Sequence, residues 1–175
     1  MKEYEFTLKF GLTDTGADPD AYVAELAANG CEDALIGVGA SGRIALDFCR
    51  EAPSAYEAMR SALADVKSAI PEARLIEATP DYVGITDVAD LLGFSRQNMR
   101  KLILSNPGSF PLPVHEGSSA IWHLAKVLEW LQERGRYPVD ARLLELSEVA
   151  MQVNLVRERG EVNAALERGL AGLCG

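Results

Sequence analysis

From Glu3 to Phe10 the chain alternates polar and apolar residues without a break, with Tyr4, Phe6, Leu8 and Phe10 set off by Glu5, Thr7 and Lys9. A period of two puts the four large side chains on one face of a strand and leaves the other face polar. Such a strand needs a sheet with one covered face, so the residues that follow must supply partner strands and a layer to pack on it. The turn-rich run Thr13-Asp14-Thr15-Gly16 comes next. Asp18-Pro19 then sets a capping side chain before a proline suited to a first helical turn. Tyr22, Val23, Leu26 and Ala27 give that helix an apolar stripe, and Gly30 is its expected stop. Leu35, Ile36 and Val38 lead through Gly39-Ala40-Ser41-Gly42 to Ile44, Leu46 and Phe48, which reads as two strands about a short turn.

Ser54 and Glu57 have the spacing of a capping box. The helix they open carries Tyr56, Met59, Leu63, Val66 and Ile70 on one predicted face, Pro71 ends it, and Leu75-Ile76-Glu77-Ala78 forms the last short strand. Strand, helix, strand, strand, helix, strand is the order of a ferredoxin-like βαββαβ sandwich. Right-handed crossovers predict both helices on one face of a four-stranded antiparallel sheet. Gly37, Gly39 and Gly42 are not a dinucleotide fingerprint, because they fall within a strand pair rather than between a strand and a helix. Asp47 and Glu51 read as part of a solvated outer sheet face. This topology serves sensors, dimerisation platforms and enzymes alike, so it leaves function open.

With 48% hydrophobic and 25% charged residues, the 175-residue chain has the balance of a folded protein, long enough for one domain or two small ones. A net charge of −9 argues against nucleic acid only if it is spread evenly. It is not: residues 1–81 carry −8, residues 82–136 carry +1 and residues 137–175 carry −2. No apolar run approaches the roughly 20 residues that span a bilayer, and Met1-Lys2-Glu3-Tyr4-Glu5 lacks the pattern of a signal peptide. Cys31, Cys49 and Cys174 are odd in number and widely spaced, which indicates neither a disulfide framework nor a zinc knuckle. A cytoplasmic protein without membrane contact is expected.

The most informative stretch runs from Ile85 to Leu102. Thr86 can cap a short helix with Val88, Ala89 and Leu92 inward. Gly93 allows a sharp turn, Phe94 plugs the space between two helices, and Ser95 caps the second, whose inward residues are Met99, Leu102 and Ile103. Outside remain Arg96, Gln97, Asn98, Arg100 and Lys101. Arginine, glutamine and asparagine pair bidentately with guanine or adenine edges in a major groove that fits one helix. Arg96, Gln97 and Asn98 would enter first, with Arg100 and Lys101 nearer phosphates.

With Thr86, Val88-Ala89, Leu92-Gly93-Phe94-Ser95-Arg96, Ile121-Trp122 and Val127-Leu128-Glu129-Trp130-Leu131, residues 84–136 resemble the winged helix-turn-helix of the MerR, AlpA and excisionase superfamily. The resemblance covers a little under a third of the chain and implies double-stranded DNA as the partner. It implies a wing entered by Phe110-Pro111-Leu112-Pro113-Val114, tipped by His115-Glu116-Gly117-Ser118-Ser119 and left by Ala120-Ile121-Trp122. Leu124, Val127, Leu128 and Leu131 would be the stripe of a closing helix. Wing tips in that superfamily usually carry arginine or lysine. This tip leaves His115, Ser118, Ser119 and backbone donors for phosphates. The set expected at DNA is therefore Ser95, Arg96, Gln97, Asn98, Arg100, Lys101, His115, Ser118 and Ser119.

Two histidines without an intervening cysteine make a poor zinc site, and His123 is expected to cap or pack beside the closing helix. Trp122 and Trp130 lie among Ile121, Leu124, Val127 and Leu131, which favours core packing over base stacking. After Arg136-Tyr137-Pro138 a helical pattern with Leu143, Leu146, Ala150 and Val153 can pack on its own chain or pair with a second copy. Gly160 interrupts it, Ala164-Ala165-Leu166 suggests a short further helix, and Gly169 to Gly175 is an expected frayed end.

The fold class expected is α+β. It comprises an assembly or regulatory domain at 1–81, a winged helix-turn-helix at 82–136 and C-terminal helices, a candidate dimerisation element, at 137–175. No nucleophile, base and orienting residue assemble from motifs, so neither catalysis nor a cofactor or metal is expected. The function expected is a sequence-specific DNA-binding protein, a bacterial transcriptional regulator working as a homodimer with its acidic domain turned away from the duplex. The alternatives are an excisionase-like DNA-bending factor, and an adaptor that meets a protein partner through its acidic domain.

Overall fold

The computed structural model describes residues 1–14, 16, 19–38 and 40–174. Thr15 of the expected turn, the expected cap Asp18, Gly39 of the expected hairpin turn and terminal Gly175 lie outside them. Along the chain run β1 (Lys2–Gly11), α1 (Pro19–Ala28), β2 (Ala34–Val38), β3 (Arg43–Ala52), α2 (Ala55–Ala69) and β4 (Arg74–Thr79). These are followed by β5 (Tyr82–Val83), α3 (Ile85–Leu91), α4 (Arg96–Leu104), β6 (Trp122–His123), α5 (Leu124–Arg134), α6 (Ala141–Arg159) and α7 (Ala164–Leu170).

The architecture is mixed α+β, with a four-stranded antiparallel sheet in the order β2-β3-β1-β4. The alternating strand β1 is central. It pairs with β3 along its whole length, from Lys2 opposite Ala52 to Gly11 opposite Arg43, and with β4 along its second half. Tyr4, Phe6, Leu8 and Phe10 are buried as the period of two predicts, in one core with Ile44, Leu46 and Phe48 of β3, Leu26 of α1 and Met59 and Val66 of α2. Phe6 and Phe48, directly opposite, bring their ring centres to 5.2 Å. Glu3, Glu5, Asp47 and Glu51 stand exposed on the other face.

Two helix faces differ from their sequence patterns. In α2 the residues against the sheet are Ala55, Ala58, Met59, Ala62 and Val66, while Tyr56 is 59% exposed. The buried face is centred on Ala55, Met59, Ala62 and Val66, which leaves the bulky Tyr56 beyond its edge. In α1, among the described residues, only Leu26 is fully covered, and Val23 is exposed. Ser54 caps α2, its Oγ accepting from Glu57 N at 3.2 Å, but the Glu57 carboxylate takes Arg60 at 2.9 Å.

Arg50, on the inward face of β3, was not anticipated from sequence. It donates to both carboxylate oxygens of Asp33 at 2.7 and 2.9 Å, to Asp65 at 2.7 Å, to Ser61 at 3.0 Å and to Gly30 O at 2.8 Å. A buried guanidinium is tolerated only with its donors matched, and here it locks the α1–β2 loop to α2. Burial beside this cluster pushes the Cys31 thiol up to about 11.

A second core gathers Val83, Val88, Ala89, Met99, Phe110, Trp122, Leu124, Val127, Leu128, Trp130 and Leu131. Helix α6 joins the two cores. Leu146 and Ala150 enter the first, while Leu143 and Leu144 pack on the second. Leu146 and Ala150 of its apolar stripe are thus covered by its own chain, while Val153 is only partly buried. Two polar side chains fix its position. Glu145 accepts from Ala55 N at 2.9 Å, at the start of α2, and from the Tyr4 hydroxyl at 3.1 Å.

Asn154 is fully buried. Its carbonyl accepts from Ala78 N at 2.8 Å, and its amide donates to Ala78 O at 2.8 Å and to Asp81 Oδ2 at 2.8 Å. The end expected to fray at Gly169 continues α7 to Leu170, and every residue from Leu155 to Cys174 is exposed.

Asn154→Ala strands an amide, a carbonyl and a carboxylate in the interior. It is expected to lower the unfolding free energy by about 2–4 kcal/mol. Urea denaturation checks this, and an unchanged midpoint would contradict it.

Glu145 titrates below its ordinary 4.5, chiefly because the Ala55 N–H favours its charged form. A lowered folded value means its stabilisation is complete above the ordinary value and fades as pH falls through the folded one. Glu145→Gln is therefore expected to lose less stability than the parent on acidification below pH 4.5. Parallel acid limbs in denaturation at a series of pH values would refute the assignment.

Candidate nucleic-acid interface

Helices α3 and α4 meet across a four-residue connection. Gly84, rather than Thr86, opens α3, and its N–H donates to the Asp87 carboxylate at 2.7 Å. The chain enters α3 from β5 two residues earlier than the apolar pattern suggests, which places Thr86 inside the first turn. Val88 and Ala89 are buried, with Leu92 packed beside them, as expected.

At Gly93 the backbone turns left-handed, with φ +66°, and Phe94 N donates back to Ala89 O at 2.8 Å. Phe94 fills the junction and meets Tyr137 edge-on, ring centres 5.4 Å apart. Ser95 Oγ accepts from Asn98 N at 3.1 Å, capping α4 as expected.

Met99 is fully buried and anchors α4 to the second core, with Leu102 and Ile103 partly covered. Everything else the sequence singled out on this helix faces outward. Ser95, Arg96, Gln97, Asn98, Arg100 and Lys101 are all exposed, and the last five make no side-chain hydrogen bond or ion pair among the described residues. Two guanidinium groups, one ammonium and two carboxamides therefore stand uncommitted on about 13 Å of helix.

Behind α4 the chain forms a hairpin. Val114 N donates to Ile121 O at 2.8 Å, and Ile121 N to His115 O at 3.0 Å. This brings His115 to Ser119 together as an exposed tip, where His115, Ser118 and Ser119 were expected. The hairpin continues into β6, which pairs with β5. Its entering arm is held from below: Trp122 Nε1 donates to Pro111 O at 3.0 Å, and the Phe110 ring stands edge-on to Trp122 and Trp130 at 5.9 and 5.0 Å. Both tryptophans belong to the core. Arg134 lies over Trp130 at 4.0 Å and donates to Ser109 Oγ at 2.7 Å, closing the loop after α4 against α5.

His123 occupies the position before α5 but its ring does not cap the helix. It points to Asp81, Nδ1 lying 2.7 Å from Oδ1, and a carboxylate can only accept, so Nδ1 carries the proton. The Asp81 main-chain oxygen instead takes Leu124 N at 2.7 Å, at the head of α5. Asp81 is 1% exposed and joins β4, α5, His123 and Asn154. Sequence reasoning passed over Asp81 and Asn154. The signal was present in Asn154 falling four residues after Ala150, on the apolar stripe of α6.

Among the described residues, one group of side chains could share a metal ion: Glu3, Glu5 and Cys49, on the open sheet face and without either histidine. No helix among them is long and apolar enough to cross a membrane. Comparison with known proteins returns no matching family model, curated relative or solved structure.

A Cβ at Gly93 would touch nothing within 4 Å, so Gly93→Ala isolates the conformational cost of the turn. Thermal or urea unfolding is expected to report a loss of about 1–2 kcal/mol. A neutral substitution would mean that the left-handed turn is dispensable.

Proposed function

We propose that this chain is a sequence-specific double-stranded DNA-binding protein, a transcriptional regulator of bacterial type that works as a dimer and reads the major groove with α4. The observation that carries this reading is the uncommitted face of Arg96, Gln97, Asn98, Arg100 and Lys101 on a helix held rigidly from behind by Met99. The residue types match the chemistry of base edges and phosphates, and the helix diameter matches the groove.

In this reading residues 82–136 are a winged helix-turn-helix: α3, the Gly93 turn, α4, the hairpin at 114–122 and α5. The first turn of α4 meets base edges, and Arg100 and Lys101 meet phosphates. At the hairpin tip Ser118, Ser119 and His115 offer hydrogen bonds, with no arginine or lysine beside them for phosphate.

The preceding sheet, with the order β2-β3-β1-β4 and two crossover helices, is read as a ferredoxin-like sandwich. Its open face carries Glu3, Glu5, Asp47 and Glu51, so it sits away from the duplex and supplies assembly or regulation. A nine-residue helix spans about four base pairs, too few for a unique address, and two copies on a pseudo-palindrome double the reading frame.

Selection of bound fragments from random duplex DNA at two salt concentrations tests the proposal. A pseudo-palindromic motif is expected, with log Kd against log salt losing about one unit of slope when Lys101 becomes alanine. Arg96→Ala is expected to relax preference at one base position in each half-site and to weaken binding about 10-fold or more. Retention of no duplex at low salt, or enrichment untouched by Arg96→Ala, would overturn it.

A further inference from the structure

Between α2, α5 and α6 lies an open groove of about 810 Å³ whose floor is apolar: Leu63, Leu75, Val149 and Val153, walled by Tyr56 and Val156. Tyr56 and Val156 are 59% and 70% exposed, so two large apolar groups face solvent across an apolar floor. Lys126, Glu129, Glu148 and Arg157 line its rim.

The same chain carries a segment with the complementary character. Leu166 and Leu170, four residues apart, share one side of α7, with Val162 just before its cap Asn163 and Leu173 beyond its last turn. Asn163 caps α7 through Ala165 N at 3.0 Å, so the helix is locally well formed, yet all four apolar residues are exposed. Such a stripe, with Glu167 and Arg168 on its flanks, fits an apolar groove with a rim of both signs.

In the chain itself α7 does not occupy this groove: no α7 residue lines it, and Leu166 and Leu170 face solvent.

We propose that the groove receives α7 of a second copy of this chain, each copy seating its tail in the other. Reciprocal exchange gives two identical seats about a twofold axis, the closed arrangement that an isologous interface requires. The inference rests on the groove and the tail alone. It supplies a surface for the dimer proposed above, but it stands or falls without reference to DNA.

Sedimentation velocity of the full chain over a range of concentrations tests it. The parent is expected to pass from monomer to dimer as concentration rises. Leu166→Asp with Leu170→Asp in the tail, and separately Val156→Asp in the groove wall, are each expected to stay monomeric, with unchanged circular dichroism because all three positions are exposed. Mixing the tail variant with the groove variant leaves one intact groove facing one intact tail. It is expected to restore a mixed dimer, weaker than the parent's. Four outcomes overturn the proposal: a parent that stays monomeric, whether or not its α7 amides are protected from exchange by packing in cis; a dimer indifferent to either variant; a dimer lost with only one of them; or a mixture that stays monomeric. Loss of DNA binding with the dimer intact counts against the DNA reading and leaves this one standing.

Discussion

One carboxamide in the middle of a long helix sets the arrangement of the whole molecule. An amide taken out of water is tolerated only where its donors and acceptor find partners. Asn154 finds them in a single place, against both polar groups of Ala78 and the carboxylate of Asp81. Sliding or rotating α6 by one residue would break all three bonds together, so the apolar stripe decides that α6 packs and Asn154 decides where. Asp81 passes the constraint on, since the residue that completes Asn154 also receives the first free N–H of α5 and holds the His123 ring. Glu145 pins the other end of the helix to Tyr4 and the head of α2.

The exposed face of α4 stands on the same packed frame. A helix bound only by its own hydrogen bonds is marginal at nine residues, and most of its order must come from what it packs on. Met99, the Phe94–Tyr137 contact, the aromatic group of Phe110, Trp122 and Trp130, and the Arg134 closure supply it. Little conformational freedom is then left to α4 apart from its long side chains.

Much of this was legible in the residues, and for definable reasons. The alternation in β1, the capping Ser54 and Ser95 and the glycine at 93 are local signals, decided within a few residues by backbone geometry. The four-stranded antiparallel sheet followed from the order of the elements. What escaped were features set by partners distant in sequence. Arg50 reads as an ordinary surface cation until Asp33 and Asp65 are brought to it. Tyr56 has the spacing of a core residue, yet the face that α2 buries runs through Ala55, Met59, Ala62 and Val66 and leaves it out. Asn154 broke the pattern of its own helix, which is a usable signal: a polar residue on an apolar stripe asks where its hydrogen bonds go. The outward set on α4 was legible because helical spacing alone separates it from Met99, Leu102 and Ile103.

The most direct measurement of the central claim is methylation interference on a bound duplex, read at guanine N7, an atom that lies only in the major groove. Methylation at a short cluster of guanines, repeated one helical turn away, is expected to block binding by the parent protein. Binding that tolerates methylation at every guanine of a site containing them, or that is blocked only by modification of the minor groove, would contradict it.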